Sequence, residues 1–317
     1  MNYLEKAFLG ETQWWRYLIV LSIVFIGVLL FSIPQGIAVS LKTALGDVDL
    51  SRLDDVSYIL TLFSPNVNLI YMILPFVGGL LFLLLSVKFI QKQSIVNLTT
   101  GRKKIDWYRV GFSFSLWGAA VAFFVGLQYY MEPESMVLNF QPRPFLILLL
   151  LGLVLIPIQT SFEEYIFRGY LMQSLGVLTR NRWFPLLFTS VVFGVMHLSN
   201  PEIAKLGNWL LVYYIGTGFF LGILTLMDDG LELSLGFHAA NNLISALLVT
   251  ADWQVFQTNS IFKDISEPNL MIAIVPSLIL FPILLYIYSK KYGWTDWKER
   301  LTGVVSPENN VLTDAES

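Results

Sequence analysis

The 317-residue chain contains two histidines, His197 and His238, and each sits within a long apolar stretch. A third such stretch carries Glu163, Glu164 and Arg168 in the segment EEYIFR. An ionisable group at the centre of a membrane helix costs about 2.5–3.5 kcal/mol on insertion scales, so the few that occur face the bundle interior and do work. The chemistry these residue types support is hydrolytic. A carboxylate and an imidazole meeting in a water-accessible pocket can take a proton from water, and neutral donors on a second helix can hold the resulting oxyanion. The chain has no cysteine, which removes a thiolate nucleophile, a disulfide framework and Cys-ligated metal.

Spacing assigns partners. Successive helical residues point about 100° apart, so Glu163 and Glu164 are expected on different faces, whereas Glu164 and Arg168 are four apart in the favourable acid-first order. We read Glu164 and Arg168 as a neutralising pair, with Glu163 as the carboxylate left to act. Residues 163 and 197 are equidistant from residue 180, in the turn Arg180-Asn181-Arg182, so two helices running evenly away from that turn bring Glu163 and His197 to one height. In GFHAANN, Asn242 lies four residues beyond His238 and on its face, which suits an oxyanion-binding pair; Asn241, three residues on, is the weaker candidate. Counting from Asp228-Asp229-Gly230 puts His238 nearer its own turn than His197 is to residue 180. Part of the hairpin around residue 180 is therefore expected to protrude from the bilayer.

Helices must carry these residues through an apolar medium. Hydrophobic residues make up 55% of the chain and charged residues 14%, with mean hydropathy +0.64, against about 25% charged in soluble domains. The composition excludes a disordered chain and an ordinary soluble enzyme, and a net charge of −3 leaves no nucleic-acid footprint. Eight stretches are apolar enough to be spans: Tyr17 to Leu41, the part of Val56 to Val87 after Pro65, Val110 to Met131, Phe145 to Leu175, Trp183 to Asn200, Leu206 to Met227, Leu233 to Ala251 and Asn269 to Ser289. With the N-terminus inside, inner segments hold fourteen of the twenty Lys and Arg and outer segments five, which places both termini in the cytoplasm.

The fold class is therefore all-α: a polytopic membrane bundle of about eight helices. Its parts are a cytoplasmic N-terminal segment (1–16), the first three spans (17–143), a catalytic core (144–251), a loop and last span (252–290) and a polar cytoplasmic tail (291–317), loosely ordered after Trp297. Trp14, Trp15, Tyr17, Trp107, Tyr108, Trp183, Tyr292 and Trp294 flank span ends as interfacial residues should. Arg102, Lys103 and Lys104 are read as topological. Gly218 and Gly222 form a small-xxx-small pair for helix packing, and Pro157 is read as bending the fourth span.

Glu163-Glu164-xxx-Arg168, Phe193-xxx-His197 and His238-xxx-Asn242, in that order on successive apolar helices, resemble the three motifs of the CPBP family, the CaaX-protease and bacteriocin-processing (ABI) family of intramembrane proteases. The resemblance covers residues 145–250 and uses every histidine. It implies that Glu163 and His197 activate water, that His238 and Asn242 stabilise the oxyanion, and that Glu164 and Arg168 support them. The expected function is an intramembrane endopeptidase in a bacterial cell membrane, acting on a membrane protein or peptide, with no cofactor. Alternatives are a zinc metalloprotease with Glu163, His197 and His238 as ligands, although no HExxH supports it, and a transporter or immunity protein. The sequence names neither a substrate nor an oligomeric state.

Overall fold

Every one of the eight apolar stretches is helical in the computed structural model, which describes residues 1–53 and 55–307. The helices are α1 (Trp14–Ala44), α2 (Pro65–Phe89), α3 (Trp107–Met131), α4 (Pro142–Glu164), α5 (Met172–Thr179), α6 (Trp183–Val195), α7 (Leu211–Asp228), α8 (Glu232–Leu248) and α9 (Leu270–Tyr292). A π-helical segment, Tyr165–Leu171, joins α4 to α5 without a break, and Pro157 leaves α4 α-helical. Six helical stretches among the described residues are long and apolar enough to cross a membrane: α1, α2, α3, residues 142–179, residues 208–228 and α9. The other two stretches give shorter helices, α6 with 13 residues and α8 with 17. Bulky apolar side chains stand exposed along α1 (Phe25, Leu29, Ile33, Ile37) and α9 (Ile272, Leu278, Ile279), the surface a lipid-facing helix requires. The chain is an integral, multi-pass membrane protein.

The all-α expectation is modified at one end of the bundle. Three short strands, β1 (Met136–Leu138), β2 (Val249–Thr250) and β3 (Phe262–Asp264), form a sheet in the order β1-β3-β2, antiparallel at Val137–Lys263 and parallel at Val249–Phe262. The sheet ties the ends of α3 and α8 to the segment preceding α9.

Helix α8 sits in the middle. Its buried face runs through Leu233, Phe237, Ala240, Leu243 and Ala246, and Gly236 lets the α3 backbone come close at Val110. Close approach also sets the α6–α7 crossing, where a Cβ on Gly218 would stand 2.7 Å from the Ser190 carbonyl oxygen and one on Gly222 would stand 2.5 Å from Leu186. The Gly218/Gly222 pair is thus a packing contact. At the end bearing the interhelical turns, Arg102 is ion-paired with Glu232 (3.2 Å) and Asp228 (3.1 Å), Arg109 also bonds Asp228, and Trp294 donates to Asp228 (3.2 Å). Arg102 therefore clasps the α7–α8 turn to α3, while Lys103 and Lys104 stay exposed. Two residues read as interfacial are instead buried: Trp294 packs on Tyr288, and Tyr17 packs edge-on against Tyr170.

His238 and Glu164 are in contact although His238 is only ten residues from Asp228 and Glu164 sixteen from Arg180. The hairpin of α5 and α6 must then extend beyond the α7–α8 turn, by roughly 9 Å at 1.5 Å per residue. Both chain ends cover this extension. Tyr3, Leu4 and Val305 pack with Met172, Leu186, Leu226 and Leu231. Tyr3 donates its N–H to Asp229 Oδ1 (2.7 Å) and its hydroxyl bonds the carbonyls of Leu98 (2.7 Å) and Arg168 (3.1 Å). The tail, read from composition as loosely ordered, instead forms a short helix, Trp297–Thr302, and pairs back through Val305 N–H to the Arg180 carbonyl (3.1 Å); residues 308–317 lie outside the described residues. Tyr3→Phe keeps the packing and removes both hydroxyl contacts. It is expected to cost about 1–3 kcal/mol, because buried carbonyls lose their donor, and to lower the melting temperature of the protein in detergent.

Candidate active site

Arg168 is fully buried in the π-helical segment. A guanidinium in that position has to be neutralised and its donors satisfied. Its Nη1 donates to Glu164 Oε1 (3.0 Å), its Nη2 donates to the Gly218 carbonyl on α7 (3.1 Å), and the Phe193 ring of α6 lies 4.3 Å from Cζ. Glu164, also fully buried, accepts from His238 Nδ1 through the same oxygen at 2.8 Å. A carboxylate paired with Arg168 only accepts, so Nδ1 of His238 carries the hydrogen. One ion pair thus gathers α4, α6, α7 and α8.

The other side of the His238 ring meets Glu163, with Nε2 3.3 Å from Oε2. The two glutamates therefore do share one partner, contrary to the expectation from their 100° separation, because an imidazole presents its nitrogens at different edges. Glu163 is not left without contacts: Gln159, one turn back on α4, donates to its Oε1 at 2.7 Å. Its Oε2 is buried and takes no hydrogen bond from any described group.

Glu163 and His197 lie within electrostatic reach of each other, with no direct hydrogen bond or ion pair between them among the described residues; the ring nitrogen in contact with Glu163 is His238 Nε2, 3.3 Å from Oε2. The end of α6 sets the place of His197. The helix stops at Val195, the His197 N–H turns to the Gly194 carbonyl, and the Phe193 carbonyl becomes available to the His197 side chain, which reaches it through Nδ1 at 2.7 Å. The four-residue spacing of Phe193 and His197 thus lets the imidazole satisfy one of the carbonyls a helix end leaves open. A carbonyl only accepts, so Nδ1 is the donor and Nε2 keeps a lone pair in the neutral ring. Tyr214 of α7 stacks on this ring at 4.3 Å and 21°.

Asn242 is half-buried and donates from Nδ2 to Gln159 Oε1 at 3.0 Å. The structure therefore gathers two hydrogen-bonded groups, Arg168–Glu164–His238 and Asn242–Gln159–Glu163, which meet where His238 Nε2 stands 3.3 Å from Glu163 Oε2, with His197 beside them. Sequence reasoning missed Gln159 and Tyr214. The signal for Gln159 was its position four residues before Glu163, the same spacing that drew attention to Arg168 and Asn242; Tyr214 left no signal, being one of fourteen tyrosines in apolar surroundings. Glu163, His197 and His238 are not drawn into a three-ligand cluster: among the described residues no group of three His, Asp or Glu side chains could hold a metal ion.

Residues 142–244, from the start of α4 to the middle of α8, match the family described as type II CAAX prenyl endopeptidase Rce1-like. A protein of Bacillus subtilis (strain 168) with the name "Uncharacterized protein YyaK" is 35% identical over 173 residues, 54% of this chain and 58% of that relative. The chain thus spans little more than half of that relative's length. No solved structure matches it.

Removing Arg168 leaves Glu164 buried without its counter-charge. Arg168→Leu is expected to cost about 3–5 kcal/mol, measured by denaturant unfolding in detergent, and the double variant Arg168→Leu, Glu164→Leu is expected to lose less than that single one.

Proposed function

We propose, from the match of residues 142–244 to the Rce1-like family and the resemblance of the motifs to those of the CPBP proteases, that the chain is an intramembrane endopeptidase in which Glu163 is the base that activates water. The observation that carries this reading is the buried Glu163 Oε2, which takes no hydrogen bond from a described group and stands 3.3 Å from His238 Nε2. A water held at Oε2 gives its proton to Glu163 while its oxygen bonds to the carbonyl carbon of the scissile peptide. Neutral His197, with Nδ1 fixed on the Phe193 carbonyl, offers its Nε2 lone pair to orient the same water. The developing oxyanion is held by the Asn242 Nδ2–H not used by Gln159 and by an Nε2–H of His238. The latter contact requires a second ring hydrogen on His238, whose charge faces Glu163 before the proton transfer and the oxyanion after it. When the C–N bond breaks, the proton on Glu163 passes to the leaving nitrogen, and the products are a carboxylic acid and an amine.

The substrate in this reading is a membrane protein or membrane-inserted peptide, and both termini of the enzyme lie in the cytoplasm, as the Lys and Arg distribution favours. The Bacillus relative agrees with a bacterial cell membrane as the location. The reaction as written uses no metal.

Terminal proteomics of membranes from cells expressing the native chain or Glu163→Gln defines the cut junction. Glu163→Gln is expected to lower turnover of a peptide spanning that junction by about 100- to 10,000-fold while the protein remains monodisperse and folded. Cleavage undiminished in this folded variant, or the absence of any enzyme-dependent terminus, overturns the reading. Incubation with a chelator is expected to leave the rate unchanged, with zinc well below one equivalent by elemental analysis of the purified protein.

A further inference from the structure

Glu163 is the end of a chain of hydrogen bonds that begins on another helix. Trp117 of α3 donates its indole Nε1–H to Asn241 Oδ1 (3.1 Å), Asn241 Nδ2 donates to Asn242 Oδ1 (3.0 Å), Asn242 Nδ2 donates to Gln159 Oε1 (3.0 Å), and Gln159 Nε2 donates to Glu163 Oε1 (2.7 Å). The two ends of this chain are chemically one-directional. An indole only donates and a carboxylate only accepts, whereas each amide between them has one accepting and one donating end. With Trp117 at one end and ionised Glu163 at the other, all three amides have one satisfied orientation, and flipping any of them would set donor against donor or acceptor against acceptor.

We propose that Trp117, Asn241 and Gln159 are positioning residues that act as an oriented amide relay on the proteolytic site. The proposal rests on the reading of Glu163 and Asn242 as catalytic and deepens it. The relay fixes Glu163 through Oε1, so that Oε2 is the oxygen presented to water. It also uses one Nδ2–H of Asn242 and leaves the other for the oxyanion. Its anchor is rigid: Trp117 is buried and stacked on Phe237 of α8 at 4.6 Å, and Gln159 is 5% exposed. Asn241, the weaker oxyanion candidate by spacing, has both polar ends of its amide occupied in the relay, which gives it a different task. Each bond polarises the next, so loss at one end is felt at the other.

The test uses the full chain in detergent and the junction peptide defined by terminal proteomics, with monodispersity and melting temperature recorded for every variant. Gln159→Leu is expected to lower kcat by about 10- to 100-fold with KM unchanged, because a carboxylate displaced by a fraction of an ångström misplaces the attacking water. Trp117→Phe, which keeps an aromatic ring on Phe237, is expected to lower kcat in the same direction by a smaller factor. The double variant is expected to be no slower than Gln159→Leu, because both changes act through one chain. Gln159→Glu is expected to be nearly inactive at neutral pH and to recover as pH falls, since only the protonated acid can donate to Glu163. Full kcat in folded Gln159→Leu, or multiplicative losses in the double variant, overturns the relay.

A second readout needs no substrate. The indole N–H resonance of Trp117, assigned by its disappearance in Trp117→Phe, is expected to shift when Gln159, which does not touch Trp117, is changed to Leu or Met. If Gln159→Leu does not fold, Gln159→Met and Trp117→Phe carry both readouts, and an unmoved resonance together with unchanged kcat overturns the proposal. Failure of the underlying reading is distinguishable: there Glu163→Gln itself would retain cleavage, whereas failure of the relay alone leaves Glu163→Gln inactive and Gln159→Leu fully active.

Discussion

A guanidinium in an apolar interior has to have its charge met, and the answers to Arg168 come from three helices. Its charge is met by Glu164, one of its terminal N–H groups by the Gly218 carbonyl, and one face of its plane by Phe193. These requirements explain details that otherwise look separate. Gly218 has no side chain because α6 must come within packing distance at Ser190, and the same close approach brings the Gly218 carbonyl to Arg168. Glu164 uses one oxygen for both Arg168 and His238, so the depth and tautomer of His238 are set by the ion pair. A π-helical segment follows Glu164 directly, as often happens where function disturbs helical regularity. Buried ion pairs are poor sources of stability when compared with apolar replacements. The purpose of this one is positional: it puts a hydrogen-bonded imidazole against Glu163.

The segment shared with the protease family, residues 142–244, does not complete its own surroundings. The Arg168 carbonyl is reached by Tyr3, the ring end of the amide chain is Trp117 on α3, and the α7–α8 turn is clasped by Arg102 and Arg109. The core motifs thus sit inside a shell drawn from the N-terminal flank.

The sequence made several features legible because they depend on local periodicity. Apolar length located all eight helical stretches, and four-residue spacing found the Glu164–Arg168 pair and the shared face of His238 and Asn242. Relations that depend on where a helix stops were not legible. Equal counting from residue 180 assumed that α6 continues through His197, but the helix ends at Val195, so the count could not show that the ring caps a carbonyl at that end. Composition also misjudged the stretch after Trp297. Its polar residues read as loosely ordered, yet it forms a short helix and Val305 is buried, since what buries it is a protruding hairpin whose existence only a difference in turn heights hinted at. A polar group whose partner lies on another helix, such as the Trp117 indole N–H, has no local pattern at all.

The docking of Tyr3 fixes an order of events during biosynthesis. A chain made from its N-terminus presents Tyr3 before its hydrogen-bond partners, which lie 95, 165 and 226 residues later, at Leu98, Arg168 and Asp229. The segment carrying Tyr3 does not complete these contacts until α7 has been inserted and the turn carrying Asp229 has returned to the same end of the bundle. Assembly of this end therefore closes with a segment made before all of those partners, and a nascent chain in which Tyr3 has docked is one in which α4 to α7 have already been threaded.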